Sequence, residues 1–195
     1  LRGSCFGIEI SNSSNVRIVG NDISSPGNHC AGIHVQNGQF IKTFGNRTHD
    51  SGQNVTGTKF YHMIYYTSDS NHAEVAWNEV DGRNSNICRG IQFHSSPANT
   101  PGFNQYDLSV HDNYIHDTRC DGLNFATVDP SKGKVEAYNN LSVHTGLGVL
   151  TGDQSNFSCI YFAGITNAGS PGAGTAHLYN NTLVDCGPQG GSDSG

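Results

Sequence analysis

The chain has 195 residues, of which only 13% are charged, with a formal net charge of −6 and a pI of 5.9. That balance argues against a nucleic-acid binder, which shows a basic face, and the low charge separates it from a disordered chain. No apolar run approaches the roughly 20 residues that span a bilayer. The 25 glycines, with many Asn, Ser and Thr, break the apolar residues into short runs of the kind that form β structure.

Taken in order, the chain repeats two phrases. The first opens as Cys5-Phe-Gly-Ile-Glu-Ile10 and returns as Cys30-Ala-Gly-Ile-His-Val35, Cys88-Arg-Gly-Ile-Gln-Phe93 and Cys120-Asp-Gly-Leu-Asn-Phe125. Degenerate copies stand at Met63-Ile-Tyr-Tyr66 and Cys159-Ile-Tyr-Phe162. The second phrase, apolar-x-apolar-x-x-Asn-x-apolar, runs Val16 to Ile23, Ala73 to Val80 and Leu108 to Ile115. Weaker forms are Val135 to Asn140 and Ala176 to Leu183, and Phe44-Gly-Asn46 is the poorest. Successive Gly-Ile positions are about 25 to 37 residues apart, the excess falling in Gly/Ser/Asn/Pro-rich connectors that read as loops.

Each phrase alternates, so Ile33 and Val35 face one way and His34 the other. Helical periodicity is absent. Short strands repeated at this period cannot bury a face alone and must stack on their neighbours. A coil of two or three short strands does this, each strand pairing in parallel with its equivalent in the next coil. The recurring Asn21, Asn46, Asn78, Asn113, Asn140 and Asn181 fit a corner, because Asn tolerates the left-handed backbone region and stacked Asn side chains bond one another.

These repeats resemble the right-handed parallel β-helix of pectate-lyase-like proteins, over roughly Cys5 to Cys186 in six coils. The resemblance implies an all-β single-stranded solenoid, one domain over 1–195 with repeats spanning about 5–187, and the chain reads as part of a longer protein. Leucine-rich repeats, the rival architecture, need a dense Leu spacing that is absent here. The fold hosts hydrolases, lyases, epimerases, tailspikes and adhesins, so it is specific for architecture and not for activity.

Four of the six cysteines share one place in the repeat, two residues before the Gly. Equivalent positions on adjacent rungs lie about 4.8 Å apart, inside the Cα window of a disulfide. Cys5–Cys30 and Cys88–Cys120 are therefore the natural pairs, and Cys159–Cys186 remains as the third. Tyr61 holds that place in the intervening coil and interrupts the ladder. Disulfides indicate an oxidising compartment, so a secreted, extracellular or periplasmic protein is expected.

Registering the first phrase across coils gives an outward column of Glu9, His34, Tyr65, Gln92, Asn124 and Tyr161. A second column is Ser11, Gln36, Thr67, His94 and Ala126. Related β-helix enzymes bind polysaccharide along such a face. Arg89 and Arg119, placed just before the strands of coils four and five, are suited to a carboxylated sugar, and Asp121 and His62 occupy matching turn positions. Tyr65, His34, Arg89, Gln92 and His94 are the expected catalytic set, and Glu9, Arg119, Asp121, Asn124 and Tyr161 the expected substrate contacts. Lyase chemistry needs a base, a neutraliser of the sugar carboxylate and an acid for the leaving oxygen, and this cluster contains all three types.

A second constellation, His111-Asp-Asn-Tyr-Ile-His-Asp117, puts His111 and His116 outward on either side of the Asn113 corner. His111, His116 and Asp117 are weak metal candidates, since such turn residues more often bond the backbone. No cofactor is required, though calcium is admitted at the Asp-bearing corners. The expected function is a polysaccharide lyase-like enzyme acting on an acidic polysaccharide. The alternative is a non-catalytic module, such as an adhesin, tailspike or filament subunit, that binds glycans or is structural. The expected partners are a polysaccharide and, through uncapped end coils, further copies of the chain. Neither nucleic acid nor a membrane span is expected.

Overall fold

The computed structural model describes residues 6–24, 31–52, 58–85, 87–95, 105–148, 157–163 and 174–187, leaving aside the side chains of 58–61 and 87–88. Coil one contributes β1 (Ile8–Ser11), β2 (Arg17–Val19) and β3 (Asp22–Ser24), and coil two β4 (Ile33–Gln36), β5 (Lys42–Phe44) and β6 (Arg47–His49). Coil three follows with β7 (Thr58–Thr67), β8 (Ala73–Ala76) and β9 (Glu79–Asp81), and coil four with β10 (Ile87–His94), β11 (Leu108–His111) and β12 (Tyr114–His116). Coil five holds β13 (Leu123–Phe125), β14 (Val135–Tyr138) and β15 (Leu141–Val143), and coil six β16 (Ile160–Phe162), β17 (Ala176–Tyr179) and β18 (Thr182–Val184). Three strands per turn stack into three parallel sheets of six strands, a parallel β-helix with no helix among the described residues.

Alternation sets the interior. Ile8, Ile33, Ile64, Ile91, Leu123 and Ile160 are register partners down the first sheet, and so are Ile10, Val35, Tyr66, Phe93, Phe125 and Phe162. The second column ends in an aromatic stack, with Tyr66–Phe93 and Phe93–Phe125 ring centroids 5.1 and 5.4 Å apart. Burying a hydroxyl requires a partner, and Tyr66 finds one in Thr43, 2.7 Å across the interior. The glycine of the first phrase has a steric cause: a Cβ on Gly90 would strike the carbonyl oxygen of Gly122 on the next coil.

The Asn column forms the corner between the second and third sheets. The backbone N–H and side-chain Nδ2 of Asn78 both donate to Asn113 Oδ1, at 3.1 and 2.9 Å, and Nδ2 also donates to the Thr43 carbonyl of the coil before, at 2.9 Å. Asn46 and Asn113 repeat the pattern, to Asn78 and Ile18 and to Asn140 and Val75. One expectation is corrected: the left-handed residue is not the ladder Asn but the one before it. Gly20, Gly45, Trp77, Asp112, Asn139 and Asn180 carry the positive φ. The ladder Asn sits in ordinary backbone and spends its side chain on its neighbours instead.

Cys159 and Cys186 are bonded, with Cα atoms 5.2 Å apart. The bond closes a loop spanning 27 residues, which contributes on the order of 3 kcal/mol by loop entropy. Cys120 is also in a disulfide. Cys5, Cys30 and the Cys88 side chain lie outside the described residues, so the other two expected pairings do as well. No described cysteine is free. At coil six the inward positions Leu178 and Leu183 are 46% and 48% exposed. No helix of the described residues is long and apolar enough to cross a membrane.

Asn113→Ala leaves buried N–H and C=O groups on two rungs without partners, so it is expected to cost roughly 2–4 kcal/mol in urea unfolding. Asn21→Ala, at the more exposed first rung, should cost less than half as much. Equal losses at both positions would show that the ladder is not the source of the effect.

Candidate functional site

The outward column follows the predicted register through all six coils: Glu9, His34, Tyr65, Gln92, Asn124 and Tyr161 are successive partners. Gln36, Thr67 and His94 form the second column as expected. Outward does not mean solvated, however. His34, Gln92 and Asn124 are buried, and Tyr65, His94 and Tyr161 are half-buried.

Burial forces these polar groups to find one another. Tyr65 lies between histidines, its ring stacked 4.2 Å from His62 and 5.5 Å from His34, with its hydroxyl 3.3 Å from His94 Nδ1. His34 in turn stacks on Phe6 at 4.3 Å and lies 3.8 Å from Glu9. Gln92 Nε2 donates to Asn124 Oδ1 at 3.4 Å, and Asn124 donates to Asp121 at 2.6 Å. Asp121, 0% exposed, also accepts from the Ser158 amide and from Arg89 Nε at 3.4 Å. Arg89 therefore already faces a carboxylate of its own protein. It also lies inside β10, paired with His62, and not ahead of the strand as expected. Arg119 does lie ahead of its strand, half-buried, with an Nε that has no hydrogen-bond partner.

His62 was absent from the expected catalytic and contact sets, although it is fully buried against Tyr65. The signal was present in the repeat: His62, Arg89 and Asp121 share the position just before the Gly or its equivalent, Met63. That position gives coils three to five a further short polar column.

Charge follows burial here. Burial holds His34, His62 and His94 below the ordinary histidine range, and the Arg89 guanidinium adds to the effect at His62 and His94. These imidazoles are neutral near pH 7 and can accept a proton. Burial pushes the Tyr65 hydroxyl up, against the pull of Thr67 and Arg89, and pushes the Asp121 carboxyl up as well. Tyr65 is thus a proton donor at neutral pH and a poor base.

The two histidines of the second constellation do not converge. His111 lies on the second sheet between Asp112 and Glu74, at 2.7 and 3.3 Å, and His116 lies on the third sheet between Asp117 and Glu79, at 2.8 and 3.4 Å. Among the described residues, Glu79, Asp81 and His116 are the group able to hold a cation, with ligand atoms within 4.8 Å of one another. Arginines already supply positive charge there. Arg83 binds both Asp81 oxygens, at 3.0 and 2.7 Å, and Arg47 reaches Glu79 and Asp81 at 3.3 Å each. Arg83 holds the Asp81 carboxyl far below the usual range.

No family model, curated protein or solved structure matches the chain.

The histidine shifts set a pH dependence. A histidine whose folded pKa is lowered refuses protons that the unfolded chain takes up below about 6.5, so its contribution is complete above that pH and declines as pH falls. Each fully suppressed histidine costs about 1.4 kcal/mol per pH unit in that window. His49, raised chiefly by its hydrogen bond to Asp50, and Asp121 act in the opposite direction. Urea midpoints are expected to drop from pH 7 to pH 5, because three lowered histidines outweigh two opposing groups. A flat profile would mean that these rings are not buried in solution.

Proposed function

We propose that the outward face of the first sheet binds an acidic polysaccharide and cleaves it by β-elimination, as in the pectate-lyase-like enzymes that the repeats resemble. One observation carries the reading. On both rungs flanking Tyr65 a buried polar atom is poorly satisfied: Nδ1 of His34 has only the Glu9 carboxylate at 3.8 Å, and Oε1 of Gln92 only the neighbouring His62 ring. Such groups cost about 1–3 kcal/mol each when unmet, a cost that a sugar hydroxyl offsets. Rungs about 4.8 Å apart also keep step with successive sugars of an extended chain.

The roles follow from the charges. Arg89, with Arg119 just ahead of the next strand, supplies positive charge for the sugar carboxylate. That charge stabilises the carbanion formed when the proton beside the carboxylate is lost. Neutral His94 accepts this proton, and the electron pair of the broken C–H bond becomes the new C=C bond. The glycosidic C–O bond breaks, and Tyr65 gives its hydroxyl proton to the leaving oxygen. No cofactor enters these steps.

Tyr65→Phe is expected to lower kcat on a cleaved uronate polymer by about 10²–10⁴-fold, the usual worth of a general acid, with unfolding unchanged. Arg89→Ala should raise KM as well as lower kcat, because a ground-state contact goes with the transition-state one. Absorbance of the unsaturated product reads both. Full activity in both variants would place the chemistry elsewhere.

A second reading, a non-cleaving glycan-binding or structural module, is favoured by the chain of bonds from Gln92 through Asn124 and Asp121 to Arg89, which satisfies much of the face internally. A parent protein that binds but cleaves no uronate polymer would establish it. Under either reading the protein is secreted, with its cysteines paired. Denatured without reductant, it is expected to show no alkylatable thiol, and six would refute that localisation. The exposed inward Leu178 and Leu183 suit a further coil, from this polypeptide or a second copy.

A further inference from the structure

Trp77 breaks a rule that its own corner keeps elsewhere. The residue before each ladder Asn adopts a positive φ, and on the other five rungs it is Gly, Asp or Asn, the residues that tolerate this region. On the third rung it is Trp77, with φ 57° and its amide donating to the His111 carbonyl at 3.3 Å. A bulky side chain there is a genuine outlier. Packing does not explain it, because Trp77 is 57% exposed.

The rings around it show what the placement achieves. His111, Tyr138 and Tyr179 on the next rungs stack in parallel, centroids 4.7 and 5.0 Å apart and planes within 5°, so each covers its neighbour's face. Trp77 meets Phe44 at 70° and His111 at 85°, edge to face. Its plane is turned out of the stack, and among the described residues no ring stacks in parallel on the indole.

The surroundings select a ligand class. Lys42 pairs with Glu74 at 2.8 Å, and His111 pairs with Glu74 and Asp112. Lys42 and Glu74 cancel each other and Asp112 adds a negative charge, so nothing nearby attracts an acidic glycan. What fits one open indole with a rim of hydrogen-bonding groups is the C–H face of a pyranose, whose weakly positive hydrogens meet the negative face of the ring. We propose that Trp77 is the stacking platform of a second carbohydrate site, on the second sheet, that takes a neutral glycan. This site stands whether or not the first sheet cleaves an acidic one.

Trp77 is the only tryptophan of the chain, so the protein's indole emission reports on this position alone. Titration of the full chain with cellohexaose, xylohexaose, mannohexaose and laminarihexaose is expected to give a saturable emission change with at least one of them. Tyr65→Phe should leave that change intact, which separates this site from the proposed catalytic face. Trp77→Asn restores a residue that the corner accepts, so its Tm should stay level or rise while calorimetric affinity for the same hexaose falls at least about tenfold. The proposal is overturned if no hexaose alters the emission at millimolar concentration, or if Trp77→Asn keeps the affinity. A Trp77→Asn variant that melts several degrees lower would show that the indole serves packing. An emission that depends on protein concentration without sugar would show that a second copy covers it.

Discussion

A buried amide with every donor and acceptor occupied is the constraint on which this molecule rests. Each interior ladder Asn takes hydrogen bonds from the coil before it and gives them to the coils on both sides, so its position is fixed by two neighbours at once. A slip of one residue in a coil would carry its amide out of line with the partners on the neighbouring coils. The three sheets hold their register through this corner, and the outward columns are straight because the register holds. The polar face around Tyr65 is thus a consequence of hydrogen bonds made on the far side of the coil.

Much of this was legible in the chain itself. A two-residue alternation leaves one choice of inward face, and a phrase that returns coil after coil fixes which residues are partners, so Glu9, His34, Tyr65 and Gln92 fell into line. Chemical surroundings were less accessible, because they depend on which residues cover a strand. His34 and Gln92 point outward by parity yet are buried, and parity cannot report coverage. Arg89 looked free for a substrate, whereas its equivalent on the next coil, Asp121, faces it across one rung. That pairing was recoverable in principle, since both residues occupy the same slot of the repeat. The shift of the left-handed residue from the ladder Asn to its predecessor was not, since Asn and the Gly or Asp before it accept that backbone equally.

The molecule handles its electrostatics differently on its three faces. On the first sheet, burial keeps imidazoles neutral and the tyrosine protonated, giving a reservoir of uncharged proton carriers. On the third, Arg83 holds Asp81 as an anion, and Arg47 pairs with both Glu79 and Asp81. The second sheet pairs its charges at the surface and exposes aromatic rings. The first sheet sets its buried imidazoles beside the hydroxyl of half-buried Tyr65, a setting in which proton transfer is readily tuned.

The bond between Cys159 and Cys186 has a dynamic consequence. In a solenoid each coil is held only by the coils it touches, so opening starts at a terminal rung and spreads inward. Coil six begins at one of these cysteines and ends just before the other, so the bond ties that coil into a closed ring. A ring cannot peel away one strand at a time; it must lift as a unit. Amide exchange along β16, β17 and β18 should accordingly share one opening event.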